Sequence, residues 1–263
     1  MKLDDFLNGL YVALSCRTLY VKGGFGLTLT KNGKDRAIKS YPYNARDDRA
    51  AKIKAMPSDS FGFDCCGLIK GVIGGFTGNK NKVYGGAVYN KDYTLGTDRI
   101  PDYDETRLFD TCNNITKCKK VDVPNIPVGA MLWMTGHCGV YVGEGWVIES
   151  TPSGSDGVQK TRYVNKNWMK WGLLPYVDYD GSSKPIKIVP PVAKPTLRNG
   201  SKGMQVYYLQ QDLNYLGEKL SEDGDFGPKT AQALKNFQKK HKLSVDGIYG
   251  PKSYNKMREV LNT

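Results

Sequence analysis

Residues 181–195, GSSKPIKIVPPVAKP, hold four prolines and show neither helical nor strand periodicity. Proline fixes φ and removes a backbone donor, so this stretch can neither continue a helix nor lie inside a sheet. It reads as a stiff, extended linker. The 263 residues therefore divide into a domain at 1–180, a linker at 181–196 and a small domain at 197–263.

The small domain contains an internal repeat. DGDFGPKT (223–230) recurs as DGIYGPKS (246–253). Each copy specifies a tight turn at Asp-Gly followed by a helix that starts at Pro228 or Pro251. Helical spacing places one helix through Val206, Leu209, Gln210, Leu213 and Leu216, and a second through Ala231, Leu234, Phe237 and Gln238. Three short helices joined by Gly-Pro loops are expected. The repeat is explained as turn scaffold without any ligand contact. As a whole, the segment from GSKGMQVYYLQQDLNYLG to DGIYGPKS resembles a small three-helix peptidoglycan-binding domain. Binding to bacterial peptidoglycan is implied by that resemblance and not by a residue that spacing identifies.

The net charge is +12. Residues 1–181 carry 24 basic and 19 acidic side chains, residues 182–263 carry 14 and 7, so the C-terminal part is the more basic per residue. This suits a polyanionic target such as a cell wall, and equally serves solubility. No basic–aromatic module or nucleic-acid-binding pattern accompanies the charge, so nucleic acid is not expected as a partner. No run approaches the roughly 18 apolar residues that span a bilayer. MKLDDFLNGLYVALSCR places two aspartates ahead of a short apolar run. It reads as an amphipathic helix over 3–16, with Leu3, Phe6, Leu7, Leu10 and Leu14 on one face, and not as an export signal. Six cysteines are too sparse for a disulfide scaffold. Cys112 and Cys118 are expected as reduced thiols, and without a second Cys/His pair at zinc-like spacing no metal or cofactor is expected.

FGFDCCGLIKG (61–71) sets two thiols behind an aspartate. Asp64 suits an N-cap, and Leu68, Ile69, Val72, Ile73 and Phe76 follow at helical spacing. Cys65 then lies in the first turn, where unpaired N–H groups and the helix dipole favour a thiolate. Cys66 points elsewhere, about 100° round the helix. Periodicity does not decide which thiol meets a base, and both are explained equally by small-residue packing in a core.

GAMLWMTGHCGVYVGEGWVIES (129–150) supplies a base. It reads as strands at 130–134, 137–142 and 146–150. His137, Gly139 and Tyr141 share one face of the middle strand. A three-residue loop pairs 139 with 149, so Glu149 is a diagonal neighbour of His137. Cys138 falls on the opposite face as core. His241, among lysines, reads as a solvated helix-end residue. A Cys–His–Glu relay is thus permitted, in which the thiolate attacks, the imidazole carries the proton and the carboxylate fixes the imidazole. A backbone-satisfied histidine and a strand-end glutamate are the plain alternatives.

CRTLYVKGG (16–24), FDCCGLIKGV (63–72) and VGAMLWMTGHCGVYVGEGWVIES (128–150) together resemble the NlpC/P60 cysteine peptidases in order and character. The resemblance implies an α+β fold of papain-like type, a helix packed on an antiparallel sheet. It gives the nucleophile to Cys65, the base to His137 and the orienting role to Glu149, where the family commonly has His, Asn or Gln. Cys66 takes the family's serine position. Tyr20 and Asp64 take the substrate-binding positions, with the Cys65 N–H and the Tyr20 hydroxyl at the oxyanion. Lys22 stands in place of a tryptophan, and a charged insertion at 25–60 precedes the cysteine. The implied activity is hydrolysis of a stem-peptide amide, typically D-glutamyl–diamino acid, by a monomeric lysin that is made in the cytoplasm and reaches the wall after release. The alternatives are an N-acetylmuramoyl-L-alanine amidase and a non-catalytic wall binder.

Overall fold

The structure is a computed structural model and describes residues 1–97, 99–119, 125–179 and 196–261. The chain forms two compact units, Met1–Lys187 and Ile188–Thr263. The expected linker, apart from residue 196, lies outside the described residues.

In the first unit, α1 (Leu3–Ser15) leads into β1 (Thr18–Tyr20) and β2 (Phe25–Thr28). Three helices follow: α2 (Lys31–Ser40), α3 (Pro42–Ala45) and α4 (Asp47–Ala55). Strand β3 (Phe61–Phe63) runs into α5 (Cys65–Ile73). A small two-stranded sheet, β4 (Thr94–Leu95) with β5 (Ile100–Pro101), precedes α6 (Glu105–Asp110). The remaining strands are β6 (Asn113–Lys117), β7 (Met131–Met134), β8 (His137–Tyr141), β9 (Trp146–Thr151), β10 (Gly157–Arg162) and β11 (Lys170–Leu173).

Strands β1, β3 and β2 form a three-stranded sheet in that order. The main sheet runs β10-β9-β8-β7-β11-β6, and among the described residues its neighbouring strands are antiparallel. Helix α5 packs on β8 and β9 and against α1, so a helix does lie on an antiparallel sheet as expected. Leu68, Ile69, Val72 and Ile73 are buried, each contributing about 1.5–3 kcal/mol of transfer free energy as an upper bound. On α1 the buried face is Leu3, Phe6, Leu7, Leu10 and Ala13, so Ala13 takes the place expected of half-buried Leu14.

The other side of the main sheet has its own core of Ile126, Ala130, Leu132, Tyr141, Val147, Tyr163 and Trp168. A third cluster joins Leu19, Val21, Leu27 and Leu29 to Ala37 on α2 and Ile53 on α4. The segment 25–60 is therefore no surface addition: its first strand pairs with β3 and its helices help close a core.

The second unit has three helices, α7 (Met204–Tyr215), α8 (Pro228–Lys240) and α9 (Pro251–Leu261). Their shared core includes Val206, Leu209, Leu213, Phe226, Leu234, Phe237, Tyr249 and Met257. The repeat acts as scaffold through glutamines that helical spacing had set among the apolar residues of α7 and α8. Gln210 Nε2 donates to Asp223 Oδ1 (2.9 Å), Asp225 O (3.0 Å) and Thr230 Oγ1 (3.2 Å), while its Oε1 accepts from Gly224 N (2.9 Å). Gln238 repeats the set with Asp246 Oδ1 (2.8 Å), Ile248 O (3.1 Å), Ser253 Oγ (3.1 Å) and Gly247 N (2.9 Å). Both side chains are 1% exposed. Each therefore satisfies buried backbone groups that would otherwise cost about 1–3 kcal/mol apiece.

Candidate active site

The end of β3 delivers Asp64 to the N-cap of α5. Asp64 Oδ1 accepts from Gly67 N at 2.6 Å, which satisfies one of the helix's open donors. Oδ2 accepts from Gly23 N, also at 2.6 Å. One buried carboxylate thus ties the helix start to the loop after Tyr20. Gly67 permits the close approach: a Cβ there would lie 1.8 Å from Gly24 O.

Cys65 is the first residue of α5 and is buried. The Cys138 and Cys66 thiols and Asp64 set its titration. The Cys138 bond and burial push the Cys65 thiol far above its ordinary range, against the lowering by Cys66. The helix-end position alone had suggested a lowered value, so the neighbours outweigh the dipole. Cys66 Sγ lies 3.5 Å from Asp64 Oδ1 and 3.7 Å from Tyr103 O. Cys138, expected as plain core, is buried as expected but meets the Cys65 thiol. Burial raises the Cys138 thiol to about 11.

Tyr20 lies beside this group. Burial raises its phenol well above the ordinary value, and Cys65 and Asp64 add to the effect. Its backbone is clamped from α4. Arg49 Nη2 donates to Tyr20 O, and Arg49 Nη1 donates to Asp156 Oδ2 at 2.7 Å. The Arg49 side chain is 4% exposed and that of Asp156 14%. Asn44 holds Lys22, two residues further on, accepting from Lys22 N (3.0 Å) and donating to Lys22 O (2.9 Å). Sequence reasoning missed Arg49, Asn44 and Asp156. They are polar residues in loops or short helices, far from Tyr20 in sequence, and no periodicity marks them.

On β8, His137 and Glu149 come together as the strand register requires. The ladder pairs Val140 with Ile148 and Tyr141 with Val147, a register that by extension sets 139 opposite 149. His137 Nε2 hydrogen-bonds Glu149 Oε2. Gly139 leaves room for this, since a Cβ there would meet Val147 Cγ1 at 2.8 Å and Glu149 Cβ at 3.2 Å. The imidazole stacks on Trp168, with centroids 5.6 Å apart. Glu149 is fully buried. Its other oxygen accepts from Thr161 Oγ1 at 2.6 Å, and Lys166 Nζ lies 3.4 Å from Oε2. Burial opposes the charge, yet His137, Lys166 and Thr161 together hold the carboxyl below its ordinary range.

The expected residues thus form two groups. Tyr20, Asp64 and Cys65 are together, and so are His137 and Glu149. No hydrogen bond joins Cys65 to His137 among the described residues. Cys138, the partner of Cys65, follows His137 directly in β8, so the two side chains leave the strand on opposite faces. The β8–β9 ladder stops at Val140–Ile148 while β9 continues to pair with β10 as far as Thr151. The sheet is therefore unladdered between 137–139 and 149–151, beside the Cys65 thiol. His137 Nε2 is committed to Glu149, which leaves Nδ1 as the nitrogen available to a second partner.

Asp64, Cys65 and Cys66 also offer ligand atoms that all lie within 4.8 Å of one another. Cys112 and Cys118 are free thiols, as are the other cysteines. His241 caps the end of α8 and packs on Phe237 at 4.6 Å between centroids. Among the described residues no helix is long and apolar enough to cross a membrane.

Comparison with protein families matches residues 202–257 to the family described as "Putative peptidoglycan binding domain". Comparison with curated proteins finds no match. Among solved structures, a peptidoglycan-binding protein from Clostridioides difficile is 38% identical over 26% of this chain and 44% of its own, with a TM-score of 0.26. An endolysin of Burkholderia AP3 phage is 41% identical over 24% of each chain, with a TM-score of 0.24. The SleB N-terminal domain is 36% identical over 26% of this chain and 96% of its own, with a TM-score of 0.26. The chain spans less than half the length of the first two. The family match shows that this chain carries a peptidoglycan-binding domain at residues 202–257.

Proposed function

We propose that the first unit is a peptidoglycan hydrolase of the NlpC/P60 kind and that the second holds it on the wall. Cys65 is the nucleophile, His137 the base and Glu149 the group that orients it. The observation that carries this reading is the buried Glu149 carboxylate on His137 Nε2. It fixes the tautomer and leaves Nδ1 as the nitrogen to take the thiol proton. The reading requires the Cys65 sulfur to leave Cys138 and reach Nδ1 when substrate binds. The thiolate then attacks the amide carbonyl and Nδ1–H protonates the leaving amine. Water hydrolyses the thioester, with its proton taken by Nδ1. The Cys65 N–H at the helix start and the Tyr20 hydroxyl face the developing oxyanion. The binding domain raises the local concentration of the hydrolase at the polymer.

The bond is assigned to the stem peptide between D-glutamate and the diamino acid. Digestion of purified peptidoglycan followed by mass spectrometry tests it, using wild type and Cys65→Ala. New amino termini on the diamino acid support the endopeptidase, whereas new L-alanine termini identify an amidase with the same catalytic group. A second reading, a wall binder without activity, is favoured by the Cys65–Cys138 hydrogen bond. No products from either chain would favour it over the hydrolase, and equal products from wild type and Cys65→Ala would remove Cys65 as the nucleophile.

A further inference from the structure

We propose that Tyr84, Tyr89 and Tyr93 form a carbohydrate-binding subsite on the first unit, which takes pyranose rings of the peptidoglycan glycan strand. It uses none of the residues of the catalytic reading and does not depend on that reading. Phe25 on β2 is the buried root of an aromatic row. It stacks on Tyr84 at 4.3 Å between centroids and on Tyr89 at 5.3 Å. Tyr89 in turn meets Tyr93 at 6.4 Å, with the ring planes 81° apart. Burial falls along the row: Tyr84 and Tyr89 are half-buried, and Tyr93 is 73% exposed. Val83 and Val88 are exposed beside it. One exposed apolar side chain is ordinary, whereas a contiguous patch marks a contact surface. Tyr93 is also held outside against a local cost. Its φ is 62°, in the left-handed region that a bulky residue seldom adopts. The turn that imposes this is well bonded. Tyr93 N donates to Asn90 O (3.2 Å) and Tyr93 O accepts from Asp102 N (3.2 Å). Asn90 Nδ2 donates to Thr94 Oγ1 (3.1 Å) and Gly96 O (3.0 Å), and Thr94 Oγ1 donates to Asp92 Oδ1 (2.6 Å). Strain kept in a structured turn that displays an aromatic ring points to a ligand for that ring.

The chemistry of the row selects a sugar. A pyranose has apolar C–H faces and a polar rim, which a flat phenol ring with a hydroxyl at its tip matches. Tyr89 and Tyr93, nearly perpendicular, offer a floor and a wall to one such ring. The ion pairs at this end of the row cancel their own charges: Arg99 Nη1 donates to Asp92 Oδ2 at 2.7 Å, and Lys70 pairs with Asp102. A balanced surface suits an uncharged ring and gives a phosphate backbone no net attraction. The chain carries a peptidoglycan-binding domain at 202–257, so the sugar polymer it meets is the glycan of the wall. The row is also continuous with the candidate active site. Phe25 follows Gly24, whose carbonyl accepts from Asp64 N at 2.9 Å. At the other end, Asp102, which bonds the Tyr93 carbonyl, precedes Tyr103, whose carbonyl is 3.7 Å from Cys66 Sγ. Both ends are thus anchored beside the start of α5.

The test titrates the full chain with a soluble oligomer of β-1,4-linked N-acetylglucosamine, which carries no peptide. Binding is followed by calorimetry and by NMR of isotope-labelled tyrosine rings. The Tyr93 ring signal, identified by its loss in Tyr93→Gly, should shift on addition of the oligomer. Glycine adopts the left-handed backbone freely. Tyr93→Gly should therefore weaken binding about fivefold or more while its Tm is no lower than that of wild type. Tyr93→Phe should bind like wild type, because the ring face and not the hydroxyl carries the contact. Absence of binding, or equal affinity in wild type and Tyr93→Gly, would overturn the subsite, and in the second case would assign the sugar to another part of the chain. A single-stranded oligonucleotide that binds more tightly than the sugar and is lost with Tyr93→Gly would reassign the row to nucleic-acid bases. A chain that binds the oligomer through Tyr93 yet digests no peptidoglycan sinks the hydrolase reading alone. A chain that digests peptidoglycan and shows no Tyr93-dependent sugar binding sinks the subsite alone.

Discussion

The imidazole of His137 and the carboxylate of Glu149 meet on one face of two adjacent strands, and the carboxylate is sealed from solvent. A buried carboxylate is retained only where cations and donors compensate it. Here His137, Lys166 and Thr161 do so. Under the hydrolase reading, Glu149→Gln keeps the shape but removes the carboxylate that orients the imidazole. Wall clearing by the full chain should fall by about 10²- to 10⁴-fold, the usual range of general acid–base contributions. An unchanged rate would remove Glu149 from the mechanism.

The same pair makes stability depend on pH. The folded-state carboxyl of Glu149 is held below its ordinary value. Its stabilisation is therefore present above the unfolded value, about 4.3, and is lost as pH falls through the lowered folded value. Thermal unfolding followed by circular dichroism should show the gap between wild type and Glu149→Gln shrinking as the solution is acidified below about pH 4. A gap that widens in acid would contradict the assignment.

Arg49 and Asp156 form a buried pair that also holds the Tyr20 carbonyl. Arg49→Leu leaves the largely buried Asp156 carboxylate with exposed Lys52 as its remaining cation and frees the Tyr20 carbonyl. A loss of about 3–5 kcal/mol is expected in urea unfolding of the first unit. Arg49→Leu/Asp156→Leu should recover part of that loss, because no unpaired charge is left.

Gly67 sits where α5 touches the backbone of Gly24. Gly67→Ala forces the helix start and the Tyr20 loop apart, at a cost of about 1–3 kcal/mol or more. Hydrogen exchange should report faster opening at residues 20–24 and 64–68 than in wild type. Equal protection would mean that the two segments are not coupled through this contact.

In the second unit, Gln210→Leu and Gln238→Leu each strand a backbone N–H, a carbonyl and a carboxylate. Losses of about 1–3 kcal/mol are expected at either position, read from the unfolding transition of that unit in the full chain. The two variants should behave alike because the hydrogen-bond sets are duplicates. A neutral result at one position would show that the loop stands without its clamp.

Local sequence was enough for much of this. Asp64 followed by apolar residues at helical spacing defined α5 and its cap, and the structure has both. The hairpin loop at 143–145 fixed the register that places Glu149 beside His137, because strand side chains alternate strictly and the loop length sets the pairing. The DG-x-aromatic-GP repeat announced its turns and the helix starts at Pro228 and Pro251. Helical spacing set Gln210 and Gln238 among the apolar residues of their helices but did not show that they clamp those turns, since spacing carries no information about a side chain's partners.

What only the tertiary structure decided is which surfaces meet. Periodicity states that Cys138 and His137 leave β8 on opposite faces, but not that α5 lies against the Cys138 face and turns Cys65 toward it. Nor does it state that Arg49 reaches Asp156 across 107 residues of chain. Repeat spacing and capping are encoded within a few residues by backbone geometry. Packing partners are chosen by burial of whole surfaces, which the chain settles only when all of them are present.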